Sequence, residues 1–140
     1  MKNRSLLKHL PLFIVMSILE SSAQPVAESM MEFGNPSRRI NIVRVADGYT
    51  AAQKGYFNNI CRALFAKMRV IKPFNDYIQY MNLYKVWGAS AETGISTSTL
   101  AVNNFWGTKE MGGGGCCIAT RSDSLKRFLD REIPQWTVAS

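Results

Sequence analysis

The sequence predicts an α/β fold, with a strand–helix–strand (βαβ) unit on a small, incomplete sheet. Residues 40–45 are rich in β-branched side chains and residues 82–87 alternate, as buried strands do. The clearest amphipathic helix of the chain lies between them. A helix between two strands favours a parallel pair joined by a crossover, with the helix packed on one face of the sheet.

The predicted domain begins after a polar approach segment. Residues 24–39 are polar and interrupted by two prolines, so we interpret them as a linker that precedes a domain over residues 40–140. The first strand then covers residues 40–45, with Ile40, Ile42 and Val45 suited to burial. The Asp47-Gly48 pair that follows is typical of a turn.

The first helix has both a start signal and an apolar stripe. Thr50-Ala51-Ala52-Gln53 forms a capping box, in which the threonine and glutamine side chains satisfy free backbone N–H groups. The apolar residues that follow recur at steps of three and one, which indicates one face of an α-helix. They are Phe57, Ile60, Cys61, Leu64, Phe65 and Met68. Pro73 ends this helix and begins a short helical turn that carries Phe74 and Tyr77.

The second half of the chain predicts a long loop, a helix and the start of a strand. Residues 88–120 are rich in Ser, Thr, Asn and Gly, and a loop of that length is functional or disordered. Ser122 is a suitable N-cap for a helix that carries Leu125, Phe128, Leu129 and Ile133 and ends at Pro134. Residues 135–138 resemble a strand that has only begun, so we expect a truncated domain.

The N-terminal residues have the order of a secretory signal peptide. Three basic residues precede an apolar run over residues 10–18, and small residues at 21–23 allow cleavage after Ala23. A membrane anchor is the alternative, but a run of about ten residues is far shorter than the roughly 20 needed to span a bilayer. Residues 1–23 therefore predict a secreted or periplasmic protein, without a membrane partner after cleavage.

The composition excludes several kinds of chemistry. The only histidine of the sequence is His9, inside the leader, so we predict no histidine base, no Ser-His or Cys-His nucleophile pair and no metal site with a histidine ligand in the remaining chain. The net charge of +7 falls to about +5 without the leader. Because the basic residues are scattered, nucleic-acid binding is not expected.

The cysteines leave two alternatives open. Cys116 and Cys117 are adjacent and a ring between neighbours is strained, so any disulfide would join one of them to Cys61. Cys61 also lies on the apolar stripe of the first helix, which favours a buried thiol.

The glycines at 112–115 lack the Gly-Lys-Ser/Thr ending of a phosphate loop and predict a flexible loop instead.

Two carboxylates follow the predicted strands. Asp47 and Glu92 lie just beyond the two strand ends, where parallel sheets place a ligand crevice. A carboxylate pair could act in general acid and base chemistry, as in a glycoside hydrolase, if the two groups lay about 5–9 Å apart. The simpler interpretation of Asp47 is as a turn former before Gly48.

Five segments, in order, resemble the IgA-peptidase-like family of secreted zinc metalloendopeptidases. The strand and Asp47-Gly48-Tyr49-Thr50 resemble that family's opening strand and "GDGYT" turn, with Ala46 in place of the usual first glycine. Four further matches resemble its "PF-x-x-Y", "N-x-Y-x-V", "S-x-E-S-G" and "T-x-F-G" segments; they start at Pro73, Asn82, Ser90 and Asn104. The resemblance covers residues 34–138, and the Gly-rich, double-cysteine stretch at 112–117 corresponds to none of these motifs.

The resemblance implies the N-terminal half of a zincin-like catalytic domain. In that family zinc is held by a His-Glu-x-x-His helix further along, so the resemblance implies no catalytic residue, no metal ligand and no cofactor in this chain, which is expected to be inactive alone. Asp47, Tyr49 and Glu92 become candidates for positions near the substrate cleft, and the implied partner is a protein or peptide substrate. The alternative is a standalone exported binding module of the same fold, with recognition by the loop at 88–120.

Overall fold

A four-stranded mixed sheet forms the centre of the fold. The structure, a computed structural model, describes residues 24–111, 116–119, 122–133 and 135–139. In chain order the strands and helices are β1 (Val26–Met31), β2 (Ile40–Val45), α1 (Lys54–Met68), α2 (Phe74–Tyr77), β3 (Met81–Trp87), β4 (Thr108–Met111), β5 (Cys116–Ala119), α3 (Ser122–Glu132) and β6 (Trp136–Ala139). The sheet has the order β1-β3-β2-β6, and β4 and β5 form a separate hairpin.

The predicted α/β fold is confirmed. β2 and β3 are parallel, with Ile40 opposite Met81 and Val45 opposite Val86, and α1 lies between them in the chain. All seven residues of β3 are buried, as expected for a central strand covered on both faces. The burial predicted for β2 is partly wrong: Ile40 is 42% exposed, whereas Asn41 is completely buried, where its amide donates to the carbonyl oxygens of Pro36 and Gln135.

The two faces of the sheet carry separate apolar clusters. Because side chains alternate along a strand, Leu83 and Trp87 of β3 enter one cluster while Tyr84 and Val86 enter the other. The first cluster lies against α1 and the second against α3. The other buried members of the first are Ala46, Phe57, Cys61, Phe65, Met68 and Met81; those of the second are Val43, Trp106, Phe128, Leu129 and Ile133.

The first helix follows its sequence signals closely. The Thr50 backbone N–H donates to Gln53 Oε1 at 2.9 Å, which is the glutamine half of the predicted capping box. The buried stripe is narrower than predicted, because Leu64 is 37% exposed. Cys61 is a free thiol that is fully buried in the first cluster, which confirms the buried-thiol interpretation. Burial raises the pKa of this thiol.

The linker predicted for residues 24–39 is wrong at residues 26–31, which form β1. This strand pairs antiparallel with β3, with Val26 opposite Trp87. Its sequence, VAESMM, has no period-two pattern of β-branched residues, so its own residues do not predict a strand. Pairing with the central β3 supplies the structure that local propensity does not.

The long loop predicted for residues 88–120 is also partly wrong. It contains the antiparallel hairpin of β4 and β5, in which Thr108 lies opposite Ala119. Ser96 is bridged to this hairpin, because the Glu110 N–H donates to its carbonyl oxygen at 2.8 Å. Residues 88–107 remain irregular apart from this bridge.

The predicted second helix and last strand are confirmed as α3 and β6. β6 is parallel to β2, with Asn41 opposite Trp136. The predicted leader at 1–23 and the glycine run at 112–115 lie outside the described residues. Of the helices that the structure describes, none is long and apolar enough to cross a membrane.

Candidate functional site

The Asp47 carboxylate anchors the loop that follows β3. Its Oδ1 atom accepts the backbone N–H groups of Gly48 and Trp106, both at 3.0 Å. The same oxygen accepts the Ser90 hydroxyl at 3.3 Å, and Oδ2 accepts the Thr108 N–H at 2.9 Å. One side chain just beyond β2 therefore holds both the beginning and the end of the irregular segment.

Ser90 extends this network into the interior. Its buried hydroxyl oxygen accepts the N–H groups of Gly48 at 3.0 Å and Phe105 at 2.9 Å. Gly48 has a φ of +70°, and a Cβ atom there would lie 2.3 Å from the Gly94 carbonyl oxygen. The turn therefore requires glycine for its conformation and for the close approach of the loop.

The other two candidates for the substrate cleft occupy different surroundings. The ring of Tyr49 packs against the rings of Phe57, at 5.4 Å between centroids, and Tyr56, at 6.3 Å. Glu92 is exposed, and its Oε2 atom accepts the Asn103 N–H at 2.6 Å. Asp47 and Glu92 therefore both accept backbone N–H groups of the irregular segment.

A groove of about 590 Å³ lies between the anchored loop and α3. None of the three predicted cleft residues lines it. Its lining residues are Pro25, Ala89, Ala91, Asn103, Asn104, Phe105, Trp106, Ser124, Arg127, Phe128 and Arg131. The groove is thus built by the irregular segment after β3, one face of α3 and Pro25, just before β1.

The groove combines aromatic surface with positive charge. The rings of Phe105 and Trp106 meet edge to face at 4.8 Å, and Trp106 lies 5.9 Å from Phe128. The guanidinium carbon of Arg131 is 5.5 Å from the centre of the Phe128 ring, within cation–π range. Among the described residues Arg127 has no ion-pair partner.

Two buried polar atoms of the groove's lining residues lack a hydrogen-bond partner in the described structure. They are the Trp106 indole nitrogen Nε1, a donor, and the Asn104 side-chain oxygen Oδ1, an acceptor. The Asn104 amide nitrogen, by contrast, donates to the Thr108 carbonyl at 2.8 Å. Unpaired buried polar atoms are rare, so each marks a place where a ligand could supply the missing partner.

Part of this groove has a signal in the sequence. Ser124, Arg127, Phe128 and Arg131 recur at helical spacing, which places two arginines beside a buried aromatic residue on one face of α3. The contribution of residues 103–106 has no comparable signal, because their position depends on hydrogen bonds to Asp47 and Ser90 far away in the chain.

The described residues do not bring together the ligands of a zinc site. No group of three or more His, Cys, Asp or Glu side chains in the described ranges could hold a metal ion. Cys61 is fully buried among apolar side chains, where its thiolate form is disfavoured. The single histidine, His9, lies outside the described residues. Within the described ranges the donor set therefore does not fit a zinc site.

The fold and the anchored loop define an α/β domain with its irregular segment at the carboxyl ends of two parallel strands. Residues 29–114 match the family model described as IgA Peptidase M64. This match covers more than half of the chain and runs from β1 to the end of β4, so the chain belongs to that family. It confirms the resemblance seen in the five motifs. No curated protein matches the chain.

Proposed function

We propose that this chain supplies the N-terminal, sheet-forming part of a zinc-peptidase domain and does not hydrolyse peptide bonds by itself. The family match over residues 29–114 is the observation that supports the first half of the proposal. The second half follows from the sequence, which has a single histidine and no His-Glu-x-x-His motif. Two histidines one helical turn apart and a glutamate are what such peptidases use to bind zinc and activate water.

In this proposal the chain's own residues position a protein or peptide substrate. The Asp47 and Ser90 hydrogen bonds fix the loop at the carboxyl ends of β2 and β3, which is where open parallel sheets bind ligands. Glu92 contributes by holding Asn103. Export through the leader at 1–23, to the cell exterior or the periplasm, is part of the same proposal.

The test is an activity and metal measurement on the purified chain. We expect neither stoichiometric zinc in a native mass spectrum nor cleavage of casein or immunoglobulin with added zinc chloride. A mock purification from cells without the gene controls for host peptidases. Zinc-dependent cleavage that follows the chain through purification and stops with a chelator would refute the proposal.

A standalone exported binding module of the same fold is the second candidate. The groove beside α3 favours it, because that site is built entirely from this chain and contains no catalytic group. A module of this kind must fold without another polypeptide. A sharp thermal transition and resistance to proteolysis would support it, whereas a chain that is soluble only as loose or aggregating material would exclude it.

A further inference from the structure

We propose that the groove between the anchored loop and α3 binds an acidic peptide segment that also carries an aromatic side chain. A carboxylate of the peptide would pair with Arg127, and its aromatic side chain would pack on Phe105, which is only partly buried. This inference does not depend on zinc or on hydrolysis, so its failure would leave the proposal on peptidase activity untouched.

The charge of the groove favours an anionic ligand. On α3 the Asp130 carboxylate is engaged by Lys126 and by the Trp136 indole, and Glu132 pairs with Arg131. At the loop, the Glu92 carboxylate accepts the Asn103 N–H. Arg127 is left without an acidic partner among the described residues, and guanidinium groups bind carboxylates through paired hydrogen bonds.

The apolar part of the groove favours an aromatic side chain beside the carboxylate. Three ring side chains, Phe105, Trp106 and Phe128, contribute to the lining, and Ala89 and Ala91 add little bulk. The volume of about 590 Å³ lies within the range of pockets that enclose a ligand of a few side chains. A small inorganic anion would leave this apolar surface unused.

The unpartnered atoms favour a peptide over an isolated amino acid. Trp106 Nε1 is a donor without an acceptor, and Asn104 Oδ1 is an acceptor without a donor. A peptide backbone carries both complementary groups, a carbonyl oxygen and an N–H. Both atoms are buried in the described structure.

Fluorescence anisotropy with a labelled octapeptide that alternates glutamate and phenylalanine tests this inference on the full chain. We expect the glutamate peptide to bind at least about tenfold more tightly than the same peptide with glutamine, since charged pairs contribute about 1.4 kcal/mol or more. Arg127→Gln should lower the affinity about tenfold. Ala91→Glu should also lower it, because the new carboxylate lies at the groove and repels the peptide.

Arg62→Gln is the matched control, because it removes the same charge from an exposed position on α1. Its affinity should equal that of the unmodified chain, and circular dichroism should show all three variants folded. Equal binding of the glutamine peptide, equal loss in Arg62→Gln, or no binding at all would overturn the inference. If free glutamate competes at the same concentration as the unlabelled peptide, the groove is a site for small anions, and the inference is overturned as well.

Discussion

At the residue scale, Asp47 shows how far a sequence motif can be interpreted. The pair Asp47-Gly48 predicts a turn, and the structure has one there, with Gly48 at positive φ. Its position after a strand also suggested a cleft residue. The partners that decide its role, Trp106 and Thr108, lie 59 and 61 residues further along the chain, so no local pattern could identify them.

Replacement of Asp47 by asparagine should destabilise the protein by about 2–3 kcal/mol, as expected when charge-assisted hydrogen bonds to a carboxylate are lost. The new amide group would turn a donor toward the N–H of either Trp106 or Thr108. Urea unfolding measures this loss. Asp76→Asn is the control, because Asp76 forms only an exposed ion pair with Lys72 at 3.6 Å. A loss in Asp47→Asn no larger than in this control would contradict the anchoring role.

At the scale of elements, the segments predicted correctly are those that carry their own periodicity. β3, α1 and α3 each bury a set of apolar side chains that is visible in the sequence, and β2 is identified by its run of β-branched residues although Asn41 is one of its two buried residues. The sequence of β1 does not predict a strand, because side chains of β3 make the contacts that fix β1 and the residues after it. Lys85 pairs with Glu28 at 2.9 Å, the Tyr84 hydroxyl donates to Glu32 at 3.1 Å, and Asn82 accepts the Phe33 N–H at 2.9 Å.

The ion pair between β1 and β3 should make stability depend on pH. The hydrogen bond from the buried Lys85 holds the pKa of Glu28 below its usual value of 4.5. A carboxylate with a lowered folded-state pKa stabilises the protein above its unfolded pKa, and this contribution is lost as pH falls through the folded pKa. Glu28→Gln should therefore lower the urea midpoint at pH 7 and have less effect at pH 3.

The control for this measurement is Glu110→Gln, which changes an exposed glutamate on β4. It should leave the urea midpoint close to that of the unmodified chain at pH 7. An equal loss of stability in Glu28→Gln at pH 7 and pH 3 would mean that packing, and not the charge pair with Lys85, links β1 to β3.

At the scale of the whole molecule, the family region and the residues after it share one core. The family match ends at residue 114, yet α3 contributes Phe128 and Leu129 to the second apolar cluster. Because β3 places alternate side chains in both clusters, neither cluster is complete without the sheet between them. The five family motifs could not show this, since none of them includes α3.

A destabilising mutation on α3 should therefore also make the cluster on the opposite face of the sheet open more often. Leu129 is fully buried in the second cluster, and Leu129→Ala should cost about 2–5 kcal/mol by removing buried methyl groups and leaving a cavity. Cys61 is buried in the first cluster and reacts only when that cluster opens. If the two clusters open together, iodoacetamide should label Cys61 at least about tenfold faster in Leu129→Ala, because about 1.4 kcal/mol corresponds to a factor of ten.

Peptide-resolved mass spectrometry separates Cys61 from Cys116 and Cys117 in this measurement. Leu64→Ala is the control, since Leu64 is 37% exposed on α1 and its truncation removes less buried surface than that of the fully buried Leu129. Its labelling rate at Cys61 should stay close to that of the unmodified chain, although Leu64 is on the same helix as Cys61. An unchanged rate in Leu129→Ala, together with faster proteolysis of α3, would show that the two faces of the sheet unfold independently.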